Sequence, residues 1–123
     1  MPQPLAIVCY ERVLPGSQLM NRLRDLQYDV LAVNDAARVI AAAQKQPPLV
    51  VFMDLTVRGD ACGVIQTLKT SPASAHLPVI AFAPARDAKR LAAAQKAGAS
   101  LAVSEATLAS HLEQILEQSL RVE

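Results

Sequence analysis

The stretch Leu49-Val50-Val51-Phe52-Met53-Asp54 decides the fold. Five apolar residues run without alternation and end on a carboxylate. A short run with no polar face is the pattern of a strand covered on both sides, as in a parallel sheet between helices. Pro47-Pro48 stands in front of it and stops the preceding helix.

Working outward, the same alternation of short strand and longer helix recurs. Upstream, Asn34 is positioned to cap a helix from Asp35 to about Lys45, with Val39, Ile40 and Ala43 on one face. Tyr28–Val33 reads as a strand before it. Pro15-Gly16-Ser17 marks a turn and a helix start, and Leu19, Leu23 and Leu26 follow at helical spacing, with Met20 beside them. Leu5–Cys9 is the first strand. Downstream, a loop with Arg58, Gly59 and Asp60 leads to a helix from about Ala61 to Lys69. Pro78–Phe82 is a strand, and Arg86 to Ala97 a helix that Gly98 ends in the left-handed region. Leu101–Val103 is a short strand. Thr107 to Leu120 is the last helix, with Leu108, Leu112, Ile115, Leu116 and Ser119 inward.

Five strand-helix units imply an α/β fold: one parallel sheet with helices on both faces. Sites in such folds lie at the carboxyl ends of the strands, near the reversal of strand order. Those ends are Cys9-Tyr10-Glu11, Val33-Asn34, Asp54-Leu55, Ala83-Pro84 and Ser104-Glu105.

Composition narrows the function. The 123 residues, read as a single domain over 1–123, carry 12 Lys and Arg against 11 Asp and Glu. That balance argues against nucleic-acid binding by bulk charge. Aromatics make up only 3% and Trp is absent, which disfavours stacking on bases. The 22 alanines suit close packing of helices on a sheet. Cys9 and Cys62 stand far apart, in neither zinc-site nor disulfide-framework spacing. No apolar run is long enough to span a membrane, and the N-terminus lacks the pattern of a signal peptide. The expectation is a cytoplasmic protein with reduced thiols and no output domain of its own.

Several phrases, in order, resemble the response-regulator receiver domains, the CheY-like family. Pro48–Leu55 is similar to that family's third strand, which ends in Asp-Leu. Leu68-Lys69 followed by His76-Leu77-Pro78-Val79-Ile80 is similar to its third helix and fourth strand. Ala93-Ala94-Gln95-Lys96-Ala97-Gly98-Ala99 resembles the end of its fourth helix. The resemblance covers Leu5 to about Leu120. It implies a three-layer, doubly wound sheet of strand order 2-1-3-4-5.

It also implies a chemistry: phosphoryl transfer from a histidine kinase to an aspartate at the end of the third strand. A hard divalent cation neutralises the charge there and wants oxygen ligands. The family provides an acidic pair after the first strand, a Ser or Thr after the fourth and a Lys after the fifth. In this chain Asp54 matches the acceptor; without the resemblance it reads as a strand-end carboxylate capping the following loop. The acidic pair falls on Cys9 and Tyr10, or on Tyr10 and Glu11 with a shift of one. The hydroxyl position falls on Ala83, and the Lys-Pro pair on Glu105-Ala106. The loop beyond Asp54 lacks the usual proline and is one residue longer to its glycine, here Gly63. A phosphoryl group at Asp54 would bring about two negative charges with no lysine to meet them. Mg²⁺ would find Asp54, Glu11, a loop carbonyl and waters, so weak or absent binding is expected. The expected protein is a stand-alone, atypical receiver that is not an enzyme and works by protein contact. Its expected partners are a histidine kinase or another signalling protein. The alternatives are a working acceptor with substituted switch residues and a small nucleotide-binding flavodoxin-like domain. For the latter, Tyr10–Gly16 offers one glycine and no phosphate-loop pattern.

Other residues admit plainer roles. Tyr10 either fills the emptied acidic pocket with its hydroxyl on Asp54 or is a half-buried tyrosine with a wet tip. Glu11 is a metal ligand or a solvated acid. Glu105 is expected to bond the loop or cap the last helix. Arg86, Lys89 and Arg90 cluster on the fourth helix, either as a docking face, including one for a homodimer through the fourth and fifth helices, or as a solvated surface. Cys9 is expected to be inert, since no lysine adjoins it. His76 and His111 stand apart and support neither a metal site nor a dyad.

Overall fold

A computed structural model describes residues 4–10, 13–46, 48–56, 60–72 and 74–120, with backbone alone at 13–16 and 119–120. The strands are β1 (Leu5–Cys9), β2 (Asp29–Val33), β3 (Val50–Asp54), β4 (Val79–Ala83) and β5 (Leu101–Ser104). The helices are α1 (Val13–Asp25), α2 (Ala36–Lys45), α3 (Ala61–Thr70), α4 (Ala88–Ala97), α5 (Glu105–Ser110) and α6 (Leu112–Leu120). All strand pairings are parallel, and the order is β2-β1-β3-β4-β5. This is the three-layer α/β fold that the sequence pattern implies.

Strand alternation divides the core between the two faces. From β1 and β3, Ile7, Cys9, Val51 and Met53 face α2, α3 and α4, where Ala36, Ala43, Ala61 and Ala94 let the helices sit close. Ala6, Val8, Val50 and Phe52 face α1, α5 and α6, against Leu19, Leu23, Leu108, Leu112, Ile115 and Leu116. Both phenylalanines of the chain, Phe52 and Phe82, lie on this second side. β3 and β4 are buried along their whole length, which accounts for their unbroken apolar runs.

Several boundaries differ from the sequence reading. The α2 cap is Asp35, whose carboxylate accepts from Ala37 N–H at 2.9 Å, and not Asn34. Both residue types cap well, so composition alone leaves a choice of one position. Leu49 precedes β3 and is 42% exposed, so the buried strand begins at Val50 and includes Asp54. The helix α1 starts at Val13, which puts Pro15 in the first turn, where no helical N–H is required. Helix α4 begins at Ala88, after Asp87, and not at Arg86. The last helical pattern is two helices, α5 and α6, broken at His111. Arg58 and Gly59 lie outside the described residues, as does the Ser119 side chain.

Gly98 ends α4 with φ +117°, a conformation that a side chain resists, and its N–H reaches back to Ala94 and Gln95 carbonyls. The Lys69 stem covers it, and that lysine's ammonium donates to the Leu77 carbonyl.

Candidate functional site

Strand order reverses between β1 and β3, so the crevice of the fold opens at their carboxyl ends. The ladder pairs Cys9 with Met53, which brings the next residue, Tyr10, level with Asp54. On the other side Asp54 pairs with Phe82, the neighbour of Ala83. Ala83 in turn pairs with Ser104, the residue before Glu105. Five of the six site residues read from the sequence are thus gathered at one end of the sheet. The sixth, Glu11, lies outside the described residues.

Asp54 is the one buried charged residue among those described, with no exposed surface. A carboxylate taken out of water needs hydrogen-bond donors. Two come from Thr56: its N–H donates to Asp54 Oδ1 at 2.9 Å and its hydroxyl to the same oxygen at 2.8 Å. The result is an Asx turn that folds the start of the loop onto the strand end. Leu55 N–H meanwhile donates to the Phe82 carbonyl at 2.9 Å and carries the ladder one step past Asp54. Thr56 was not singled out in the sequence. The signal available was Asp54 itself at a strand end, since an Asp side chain bonds the backbone two residues on whatever residue stands there.

Cys9 occupies the other face of β1, fully buried. Burial first, then the carboxylates of Asp54 and Asp35, push its thiol up to about 12. The thiol is therefore neutral at physiological pH, and neither a nucleophile nor a ready ligand for a hard cation. The role of Asp35 here was also not read from the sequence. The helix cap that ends β2 brings its carboxylate toward Cys9.

Tyr10 is half-buried and packs on the α1/α5/α6 side of the core, and its N–H donates to the Val33 carbonyl at 2.9 Å. Ala83 is fully buried and offers only a methyl group. Glu105 forms the first turn of α5, half-buried. The cap of α5 is Ser104, whose hydroxyl accepts from Thr107 N–H at 3.2 Å, so the capping expected of Glu105 belongs to its neighbour. Glu105 instead lines a groove of about 710 Å³ between α1 and α5, with Arg22 on the rim and Phe82 in the floor.

The remaining candidates separate. Asp60 is the cap of α3 and accepts from Gly63 N–H at 3.0 Å. Burial, then Asp60, raise the half-buried Cys62 thiol. Arg90 pairs with Asp87 on the exposed surface at 3.3 Å, while Arg86 and Lys89 are exposed. His76 and His111 are exposed and lie in different connections. Gly16 falls inside α1, so no glycine-rich phosphate loop separates β1 from its helix. Among the described residues no group of three His, Cys, Asp or Glu could hold a metal ion. No described helix is long and apolar enough to cross a membrane.

No protein-family model matches the sequence, and no curated protein matches it. Solved structures do match in fold. A candidate response regulator from Chloroflexus aurantiacus superposes with a TM-score of 0.88 at 17% identity, over 96% of this chain and 98% of that one. The receiver domain of NtrX from Brucella abortus gives 0.82 at 20% identity, over 97% and 99%. The signal receiver domain of a histidine kinase from Syntrophus aciditrophicus gives 0.79 at 18%, over 98% and 95%. The chain has the fold of response-regulator receiver domains.

Proposed function

We propose that this protein is an atypical receiver domain of two-component signal transduction, working by protein contact with its phosphorylation pocket dismantled. The observation that carries the reading is the state of Asp54. It keeps the place of a phosphoacceptor at the end of the central strand, yet it is fully buried and bound twice at one oxygen by Thr56. At the neighbouring strand ends stand a neutral thiol at Cys9 and a methyl at Ala83, and beyond β5 an acid at Glu105. A phosphoryl group with its cation needs oxygen ligands and a positive or hydroxyl-bearing wall. Cys9 and Ala83 supply no oxygen ligand, and none of the three supplies a positive charge or a hydroxyl. Mg²⁺ therefore binds weakly or not at all, and the domain catalyses no reaction of its own. Its partners are a histidine kinase or another signalling protein in the cytoplasm, which recognise its surface; the α4 and α5 side is a face for such contacts or for a second copy.

The test is an NMR titration with Mg²⁺ and beryllofluoride, a phosphoryl mimic that binds an aspartate beside a cation. The amides of Asp54, Thr56, Ala83 and Ser104 are expected to stay in place. Saturable shifts at these four positions would instead favour a working acceptor with substituted switch residues.

A further inference from the structure

The groove of about 710 Å³ between α1 and α5 falls within the volume range of small-molecule sites. Its floor is apolar, with Leu19, Phe82, Leu108 and Leu112 closing it against the core. On the α5 wall the space is left by Ala106 and Ala109, both exposed and one turn apart. From Glu105 to Leu112 the wall is about 10 Å long at 1.5 Å per residue.

Two charged side chains line the groove, Arg22 and Glu105, and they stand at opposite ends. Helices α1 and α5 both leave from the carboxyl end of the sheet, after β1 and β5. Glu105 is the first residue of α5, at that end, whereas Arg22 lies in the last turn of α1. Glu105 has a partner of its own within the protein. The Arg22 guanidinium has no hydrogen-bond or salt-bridge partner among the described residues. The groove thus offers an apolar channel with an unmet cation at its far end and an acid at its mouth.

We propose that this groove binds a medium-chain fatty acid, with the carboxylate on Arg22 and the chain laid over Leu108 and Phe82 toward the strand ends. A guanidinium meets a carboxylate with two parallel hydrogen bonds, which fixes the head. The chain leaves water along the floor and against Ala109, which supplies the larger part of the affinity. The charge order sets the direction: a cationic head is repelled at Arg22, and an anionic one is repelled at Glu105. Binding needs no phosphoryl group at Asp54, so it stands or falls separately from the dismantled pocket.

An NMR titration with monomeric decanoate tests it, with hexanoate, decanol and decylammonium for comparison. Saturable shifts are expected at the amides of Leu19, Arg22, Phe82, Leu108 and Ala109. Hexanoate should bind at least about tenfold more weakly, because its shorter chain buries less apolar surface. Arg22→Gln should weaken decanoate about threefold or more and leave decanol as it was. Ala109→Leu fills the groove from an exposed helical position that tolerates leucine. It should abolish the shifts while keeping the wild-type melting curve. Ala92→Leu, the same change at an exposed position of α4, should bind as the wild type does. The absence of saturable shifts with millimolar decanoate overturns the proposal. So does undiminished binding in Ala109→Leu, or decylammonium binding more tightly than decanoate, which would move the head to Glu105.

Discussion

Thr56 grips Asp54 at one oxygen with two donors, its N–H at 2.9 Å and its hydroxyl at 2.8 Å. The buried carboxylate is thereby stabilised by the residue two places on, within the chain itself. A cation or phosphoryl group approaching that oxygen has to displace a hydroxyl already in place.

Removing the hydroxyl exposes its contribution. Thr56→Val keeps the backbone donor and the shape but takes one hydrogen bond from a buried carboxylate. A hydrogen bond to a charged group contributes about 1.5–3 kcal/mol, and the variant should lose a comparable amount in urea denaturation. Wild-type stability in Thr56→Val would mean that the hydroxyl does not hold Asp54.

The two thiols should differ sharply in reactivity. Cys9 is fully buried and its pKa stands at about 12, while Cys62 is half-buried. Thiolate is the reacting species, so a disulfide reagent at neutral pH should label Cys62 alone in the native protein. Cys62→Ser should then react only on unfolding. Rapid labelling of native Cys62→Ser would contradict the burial of Cys9.

Stability at high pH follows from the same group. The Cys9 pKa is raised in the folded state, from 9.0 to about 12. The neutral thiol's advantage is therefore complete below pH 9 and is lost as pH climbs from there toward 12. In that window the unfolded chain gives up a proton that the folded chain keeps, a slope of roughly 1.4 kcal/mol per pH unit. Denaturation curves of wild type and Cys9→Ala should diverge above pH 9, with the wild type falling faster. Parallel pH profiles would remove Cys9 as the cause.

Placing an acid at position 9 should make folding depend on a cation. Cys9→Asp puts another carboxylate beside Asp54 and Asp35 without a counter-charge, which should destabilise the fold by about 2–4 kcal/mol. Mg²⁺ binding to the native state alone would return part of that loss. Melting temperature against Mg²⁺ concentration should rise for Cys9→Asp and remain level for the wild type. A flat response in the variant would show that one added acid does not create a cation site.

Gly98→Ala tests the scaffold and not the site. The φ of +117° and a would-be Cβ 2.9 Å from the Lys69 stem both oppose a side chain. The expected loss is about 1–2 kcal/mol by chemical denaturation. A neutral result would show that α4 ends just as well without its left-handed residue.

Much of this architecture was legible in the residues. The apolar runs of β3 and β4 and the spacing of Leu19 and Leu23 located the elements, because burial on both faces leaves no room for alternation. Boundaries were harder where two neighbours compete for one job. Asn34 and Asp35 both cap well, and Ser104 took the cap expected of Glu105. The split at His111 was hidden because Leu108, Leu112, Ile115 and Leu116 stay buried on both sides of the break. In the candidate site, Asp54, Cys9, Tyr10, Ala83 and Glu105 could be placed from strand ends. The grip of Thr56 and the approach of Asp35 could not, since both depend on how loops turn after their strands.

Intact-mass measurement after incubation with acetyl phosphate and Mg²⁺, on the wild type and on Asp54→Asn, tests the proposal of a dismantled pocket most directly. Expected is no phosphoryl adduct on either protein. Stoichiometric labelling of the wild type that disappears in Asp54→Asn would contradict it and make Asp54 a working acceptor.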